Sequence, residues 1–150
     1  MLKGIAACIS PALLQVLSEM GCGDTLVLAG ANFPAAACTK ETILLRADGV
    51  GTLPLLEGIL KLLPLDENVP NPMQLVERTS ADEDLAVPLW EDYKAIVAKY
   101  DARGAAAIDW TDRYKFYTMA TRAYAVVATG ELAPYASILL QKGDVTPEML

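Results

Sequence analysis

Short, uninterrupted apolar runs alternate with helix-like segments along this chain, and the alternation restricts its fold more than any other feature. The run TLVLA over Thr25–Ala29 is typical of a strand that is covered on both faces. Further strands are predicted over 42–49, 73–78, 105–110, 124–130 and 137–143. The pattern predicts an α/β fold with a mostly parallel, doubly covered sheet. Because the 150 residues contain no repeat and no linker, we expect one domain over 1–150.

Capping residues mark the ends of the predicted helices. Ser10 suits the cap of a helix that begins at Pro11, and Gly21 suits the left-handed residue that ends it. Thr52 and Thr111 are the predicted caps of two later helices. The predicted helices cover 10–21, 52–64, 87–104 and 111–123. Since ligands of such folds bind beyond the carboxyl ends of the strands, we expect the functional site at that edge.

The chain contains no histidine, and this is the most informative feature of its composition. The absence excludes Ser-His-Asp and Cys-His pairs and removes the commonest ligand of transition metals. The cysteines Cys8, Cys22 and Cys38 form no C-x-x-C pair and leave one over, as expected for reduced thiols. No glycine-rich phosphate-binding motif is present, so the sequence does not indicate nucleotide chemistry.

The charge pattern restricts the partners of the chain. The net charge is −7 and the 12 Lys and Arg residues are scattered, so we expect no binding to nucleic acid. No apolar run reaches the roughly 18 residues of a membrane span, so we expect no membrane insertion. The N-terminal residues lack the continuous apolar stretch of a signal peptide, and we therefore expect a cytoplasmic protein.

Six sequence blocks, in order along the chain, carry a resemblance to a known family. They are ISPALLQVLSEMGCGD, ANFPA, RADG, DRYKFY, ATGE and YASILLQKG. With these blocks the chain resembles the ribose pyranase and fucose mutarotase family (RbsD/FucU), and RADG and KFY are closer to the fucose branch. The resemblance implies a three-layer α/β sandwich that assembles into pentameric rings or decamers. It also implies binding of a fucose-like monosaccharide near subunit contacts, with no cofactor and no metal.

The resemblance assigns roles to residues of the later blocks. Arg113 and Tyr117 match the family's sugar-contacting arginine and acid–base tyrosine, and their spacing places them on one face of a helix. Tyr135, Ala136 and Ser137 stand where the family has a Tyr-Gly-Asn motif that clamps the sugar. Serine is shorter than asparagine and has no amide, so this clamp has lost hydrogen-bonding capacity. A half-buried core role for Tyr117 and a surface ion pair for Arg113 remain open alternatives.

The earlier blocks depart further from the family pattern. Cys22 stands where the family has a proton-donating histidine. Three roles are open for it: a second catalytic group, a binding residue, or a small space-filling residue. Gly30 replaces a sugar-binding aspartate and is otherwise a turn glycine, while Asn32 faces the ligand or stays within a local turn. Met73 is either a wall of the pocket or part of the core. Asp24 either caps a tight turn or orients residue 22 or a ligand.

Three functional hypotheses follow from these residues. We expect a mutarotase that opens and recloses a sugar ring, with Tyr117 as its main acid–base group. The alternative is a non-catalytic or retuned protein that binds a less polar sugar or a sugar acid, with Arg113 as the anchor. A third is a component that serves only in assembly. Arg46 and Asp48 are expected to form a salt bridge or to contribute to a subunit contact.

Overall fold

The computed structural model describes residues 1–150, which form a six-stranded sheet and five α-helices. The strands are β1 (Thr25–Ala29), β2 (Ile43–Ala47), β3 (Met73–Val76), β4 (Ile108–Thr111), β5 (Ala125–Thr129) and β6 (Ile138–Gln141). The helices are α1 (Pro11–Glu19), α2 (Ala35–Cys38), α3 (Thr52–Leu60), α4 (Pro88–Tyr100) and α5 (Arg113–Thr121). Three short 3₁₀ turns cover Ser80–Asp82, Gly104–Ala107 and Pro147–Met149. None of the helices has the length and apolar composition to cross a membrane.

The strands follow the order β2-β5-β1-β6-β3-β4 across the sheet. Strand β5 pairs in parallel with β1 and β2, and β3 pairs in parallel with β4. Strand β6 pairs antiparallel with both of its neighbours, β1 and β3. Only β6 therefore runs against the common direction, which confirms the prediction of a mostly parallel sheet. The reversal also brings the start of β6 to the edge where the other strands end.

Helices cover both faces of the sheet, which confirms the three-layer α/β sandwich. Alternate residues of β1 point to opposite faces, so Leu26 and Leu28 pack in one core while Val27 and Ala29 pack in the other. The larger core joins the sheet to α1, α3 and α4, and the smaller core joins it to α2 and α5. Since helices cover both faces, the strands are mostly apolar.

One predicted helix cap is confirmed and two are wrong. The Ser10 Oγ accepts a hydrogen bond from the Leu13 N–H at 3.1 Å. Thr52 is instead the first residue of α3, and its side chain is buried. Thr111 is the last residue of β4, and α5 is capped by Asp112, whose carboxylate accepts from two backbone N–H groups. Because Thr111 belongs to strand β4, the residue that caps α5 is the next one along the chain, Asp112.

Replacing Asp112 by alanine is expected to lower the free energy of unfolding by about 1 kcal/mol, because both backbone N–H groups lose their acceptor. Urea unfolding of the purified protein measures the change. Asp112→Asn is the matched control, since asparagine keeps an acceptor oxygen and should retain most of the stability. Equal stability of the alanine and asparagine variants would contradict the capping role.

Candidate functional site

A cavity of about 410 Å³ opens at the sheet edge where β1, β3 and β5 end and β6 begins. Its volume lies in the range of small-molecule binding sites. We call it the edge cavity. Its lining comes from the loops after β1, β3 and β5 and from the first turns of α5. The lining residues are Gly30, Ala31, Asn32, Phe33, Val76, Thr79, Asp82, Arg113, Tyr117, Glu131, Leu132, Ala133, Pro134, Tyr135, Ala136 and Ser137.

Arg113 and Tyr117 form one wall of the edge cavity. The Arg113 Nε donates a hydrogen bond to the Tyr117 Oη at 3.3 Å, and the guanidinium carbon lies 5.8 Å from the centre of the tyrosine ring. On its other side the Tyr117 ring packs edge-on against Phe33, with 5.3 Å between ring centres. The hydrogen bond to Tyr117 raises the pKa of Arg113, and the nearby Tyr114 and Tyr135 add to the effect. The guanidinium is thus placed to stabilise negative charge on the Tyr117 oxygen.

The segment from Tyr135 to Ser137 forms the opposite wall, and each of its residues is held by a hydrogen bond. Tyr135 has a positive φ of 56°, a conformation that non-glycine residues adopt only when their surroundings enforce it. The Trp90 Nε1 donates to the Tyr135 carbonyl at 3.1 Å. The Gly30 N–H donates to the Ser137 Oγ at 3.0 Å. The Ser137 oxygen therefore helps to hold the wall as an acceptor, while its O–H has no protein acceptor.

A buried polar network supports this wall from the core. The Tyr93 hydroxyl donates to the Ala136 carbonyl at 2.7 Å and lies 2.6 Å from the Thr52 Oγ1. The Thr52 N–H and hydroxyl both donate to the Glu131 carboxylate at 3.3 Å. Burial raises the pKa of Tyr93 well above its ordinary value, so this hydroxyl keeps its proton. Tyr93 was not predicted as part of the site, because its only signal in the sequence is its place on the apolar face of a helix.

Replacing Tyr93 by phenylalanine is expected to destabilise the protein by about 1–3 kcal/mol, because the buried Ala136 carbonyl loses its donor. Chemical unfolding at neutral pH measures the loss. Tyr100→Phe is the control on the same helix, since the Tyr100 hydroxyl contacts Glu57 at the surface at 3.3 Å. If both variants lose the same stability, the buried network does not have this role.

A carboxylate that the sequence analysis missed lies beside Tyr135. The Tyr135 hydroxyl donates to the Asp82 Oδ2 at 2.5 Å and also lies within hydrogen-bonding distance of Thr79. Asp82 ends a 3₁₀ turn in the connection between β3 and α4, and it lines the edge cavity. Nothing in the sequence near residue 82 indicates this contact, because its partner is 53 residues away.

The structure brings seven of the nine residues predicted for the site into the lining of the edge cavity. They are Gly30, Asn32, Arg113, Tyr117, Tyr135, Ala136 and Ser137. Cys22 precedes β1 and Met73 begins β3, so within one chain both lie at the opposite edge of the sheet. Met73 is fully buried in the larger core. One chain therefore does not bring Cys22 and Tyr117 together.

Cys22 lies exposed among acidic side chains. Partial desolvation, followed by the hydrogen bond to Asp144 and the charges of Asp144 and Asp66, raises the pKa of the Cys22 thiol, and Lys142 opposes the shift. A thiol with a raised pKa stays protonated at neutral pH, and the thiolate is the nucleophilic form. The surroundings therefore suppress the nucleophilicity of Cys22.

Two local predictions for the loops are confirmed, and one is wrong. The Asp24 Oδ2 accepts from the Gly21 N–H at 2.7 Å, so this aspartate caps the turn before β1. Arg46 and Asp48 form an exposed salt bridge of 2.6 Å. The predicted left-handed residue is not Gly21 but Gly23, with a φ of 85°. Helix α1 instead ends with Met20 in an extended conformation, so Gly23 belongs to the turn that follows and not to the end of the helix.

A wider groove of about 910 Å³ lies beside the edge cavity and shares Thr79 with it. Its aromatic rings are those of Trp90 and Trp110. Arg78 lies 5.5 Å from the centre of one ring and Lys94 lies 5.7 Å from the other. We favour the smaller edge cavity as the site, because it holds two phenol hydroxyls with charged partners, those of Tyr117 and Tyr135. No group of three or more Cys, Asp or Glu residues is placed to hold a metal ion.

Comparison with known proteins agrees with the resemblance seen in the sequence. The model of the RbsD / FucU transport protein family matches residues 3–145. Human fucose mutarotase is 44% identical over 145 residues, which make up 95% of this chain and 93% of the human protein.

Two solved structures share both the fold and much of the sequence. FucU from Bifidobacterium longum has a TM-score of 0.93 and 46% identity, over 96% of this chain and 100% of that one. A fucose mutarotase from Streptococcus pneumoniae, solved in complex with L-fucose, has a TM-score of 0.90 and 41% identity, over 97% and 100% of the two chains. The chain therefore belongs to the RbsD/FucU family, on its fucose mutarotase branch.

Proposed function

We propose that this protein is a mutarotase that interconverts the anomers of L-fucose or a closely related monosaccharide. The observation that carries the proposal is the pair of phenol hydroxyls, Tyr117 and Tyr135, which line one edge cavity and are each bonded to a charged side chain. Human fucose mutarotase is 44% identical to this chain, and a fucose mutarotase that is 41% identical was solved in complex with L-fucose.

The reaction needs only acid–base chemistry. Mutarotation opens a cyclic hemiacetal, so a base must remove the proton of the anomeric hydroxyl and an acid must protonate the ring oxygen. Each such group contributes a rate factor of about 10²–10⁴. Tyr117 is the proposed acid, because the phenolate that it leaves is stabilised by Arg113 at 3.3 Å. The aromatic wall of Phe33 and Tyr117 offers a surface for the less polar face of a sugar.

Anomer exchange measured by NMR tests this proposal. The α-anomeric proton of L-fucose is saturated, and the transfer to the β-anomer is followed with and without protein. We expect the exchange rate to rise in proportion to protein concentration, and heat-denatured protein serves as the control. Exchange that stays at the buffer rate for L-fucose, D-galactose and D-ribose alike would rule out mutarotase activity.

A second candidate function is the binding of a sugar acid without turnover. It is favoured by Arg113, whose two terminal nitrogens have no protein partner and are free to grip a carboxylate. The Ser137 oxygen also accepts from the Gly30 N–H, which leaves chiefly its O–H as a donor to neutral sugar hydroxyls. Thermal-shift measurements with L-fucose, D-galacturonate and D-glucuronate separate the two functions. Stabilisation by the uronates alone, together with absent anomer exchange, would favour the binding protein.

We also propose that the chain assembles into the pentameric ring or decamer that the resemblance implies. Cys22 and the edge cavity lie at opposite edges of the sheet, so Cys22 can reach an edge cavity only through a second copy. Light scattering after size exclusion should then give five or ten times the chain mass of 16.1 kDa. A stable mass of one chain would contradict the ring.

A further inference from the structure

The edge cavity has two carboxylates in its lining, and only one of them is available for chemistry. Glu131 has both oxygens engaged in the protein: Oε1 accepts from the Ala133 N–H at 3.1 Å, and Oε2 accepts from Thr52. A proton on this carboxylate would disrupt the network that supports the wall. Glu131 is therefore a structural group.

Asp82 has the opposite arrangement. Its Oδ2 accepts only from the Tyr135 hydroxyl, and its Oδ1 has no protein partner. The backbone of Asp82 is nevertheless fixed, because its N–H donates to the Thr79 carbonyl at 3.0 Å and its own carbonyl accepts from the Leu85 N–H at 2.9 Å. The main chain thus fixes the position of residue 82. Its carboxylate makes only the bond to Tyr135, so no other contact is lost when it takes up a proton.

We propose that Asp82 is the proton acceptor of the edge cavity and acts through the hydroxyl of Tyr135. The inference rests on the proposed mutarotase function and assigns the base of that reaction. Gly30 and Cys22 stand where the resemblance implies an aspartate and a histidine, and within one chain no other carboxylate lining the cavity is free. A carboxylate from the connection before α4 thus takes the place of groups that the chain lacks.

The proton transfers balance in both directions. Tyr135 passes its proton to the Asp82 Oδ2 and takes the proton of the anomeric hydroxyl, O1. The electron pair left on O1 forms the C1=O1 bond, the C1–O5 bond breaks, and O5 takes a proton from Tyr117. After rotation about C1–C2, the same steps in reverse close the ring on the other face of C1. Both tyrosines and Asp82 then return to their starting protonation states.

Asp82→Asn is the decisive variant, because asparagine keeps an oxygen that accepts from Tyr135 but cannot take up a proton. We expect the catalysed anomer exchange of L-fucose at saturating sugar to fall about 10²-fold, while KM changes less than about threefold. Asp82→Glu keeps a carboxylate and should recover at least part of the rate. The split between rate and KM separates proton transfer from mere positioning of Tyr135.

Asp84→Asn is the matched control, since it removes a nearby exposed carboxylate that lies outside the cavity lining and should leave rate and KM unchanged. A fully active Asp82→Asn variant would overturn the assignment of Asp82 and leave the proposed function intact. A rise in KM without a change in the saturated rate would also overturn it, because Asp82 would then act only in binding. If the wild-type protein does not accelerate exchange at all, the proposed function fails and the inference fails with it.

Discussion

Replacing Tyr117 by phenylalanine is expected to lower the catalysed anomer exchange of L-fucose by about 10²–10⁴-fold at saturating sugar, the range for loss of a general acid. The Tyr117 hydroxyl has one protein partner, the Arg113 Nε, and that contact is exposed. Its removal therefore leaves the fold and the ring packing against Phe33 in place. The effect should appear in the rate at saturation rather than in KM, because the missing proton matters chiefly in the transition state.

Tyr114→Phe provides the matched control on the same helix. Tyr114 is 74% exposed, its hydroxyl makes no hydrogen bond, and it lies outside the lining of the edge cavity. Its substitution should leave exchange unchanged. NMR saturation transfer at several fucose concentrations gives both rate and KM for each variant. A Tyr117→Phe variant that keeps the wild-type rate would remove Tyr117 from the chemistry and restrict it to a wall of the cavity.

Replacing Gly130 by alanine is expected to lower the free energy of unfolding by about 3 kcal/mol, at the upper end for overpacking. A Cβ at residue 130 would overlap the carbonyl oxygen of Asp48 and lie 3.1 Å from its carbonyl carbon. Neither of the two backbone segments can move away easily. The Gly130 N–H donates to the Val50 carbonyl at 2.9 Å, and Thr129 is paired with Ala47 in the sheet.

Gly49→Ala in the connection after β2, which Gly130 approaches, is the control, because a Cβ there meets nothing within 4 Å. Urea unfolding monitored by circular dichroism should show a lower midpoint for Gly130→Ala and little change for Gly49→Ala. Similar stabilities for the two variants would mean that the β2 and β5 connections can separate without cost. The close approach of the two backbones would then not be a constraint on this edge of the sheet.

The sequence predicted the fold well where one segment carries its own signal. The run Thr25–Ala29 has no competing pattern, and its predicted bounds agree with β1. Prediction was weaker where two elements compete for one residue, as at Thr111, which strand pairing removes from the helix. The run 105–110 was predicted as one strand, but its first part forms a 3₁₀ turn and only the rest enters β4. The four-residue helix α2 is too short to show a periodic pattern and was therefore not predicted.

The lining of the edge cavity was predictable where the family resemblance supplied its residues. Arg113 and Tyr117 are also only one helical turn apart, so their contact follows from local geometry. Contacts between distant segments, such as Asp82 with Tyr135 or Tyr93 with Ala136, have no signal in the local sequence and could not be predicted from it. Charge and polarity alone do not say which carboxylate reaches a cavity and which remains in solvent.

The antiparallel pairing of β6 makes the edge cavity depend on strand registry. Ile138 is aligned with Leu28 of β1 and with Leu75 of β3, and this alignment brings the Ser137 hydroxyl to the Gly30 N–H. A slip of two residues would shift β6 by about 6.6 Å, and a slip of one would turn its side chains to the wrong face. Insertions within β6 would therefore abolish the cavity, and the connection before it is restrained as well, by the Gly130 N–H bond to Val50 and by the Glu131 carboxylate. A change of sugar specificity is therefore expected from side-chain substitutions in the lining of the cavity rather than from changes in the length of the strand.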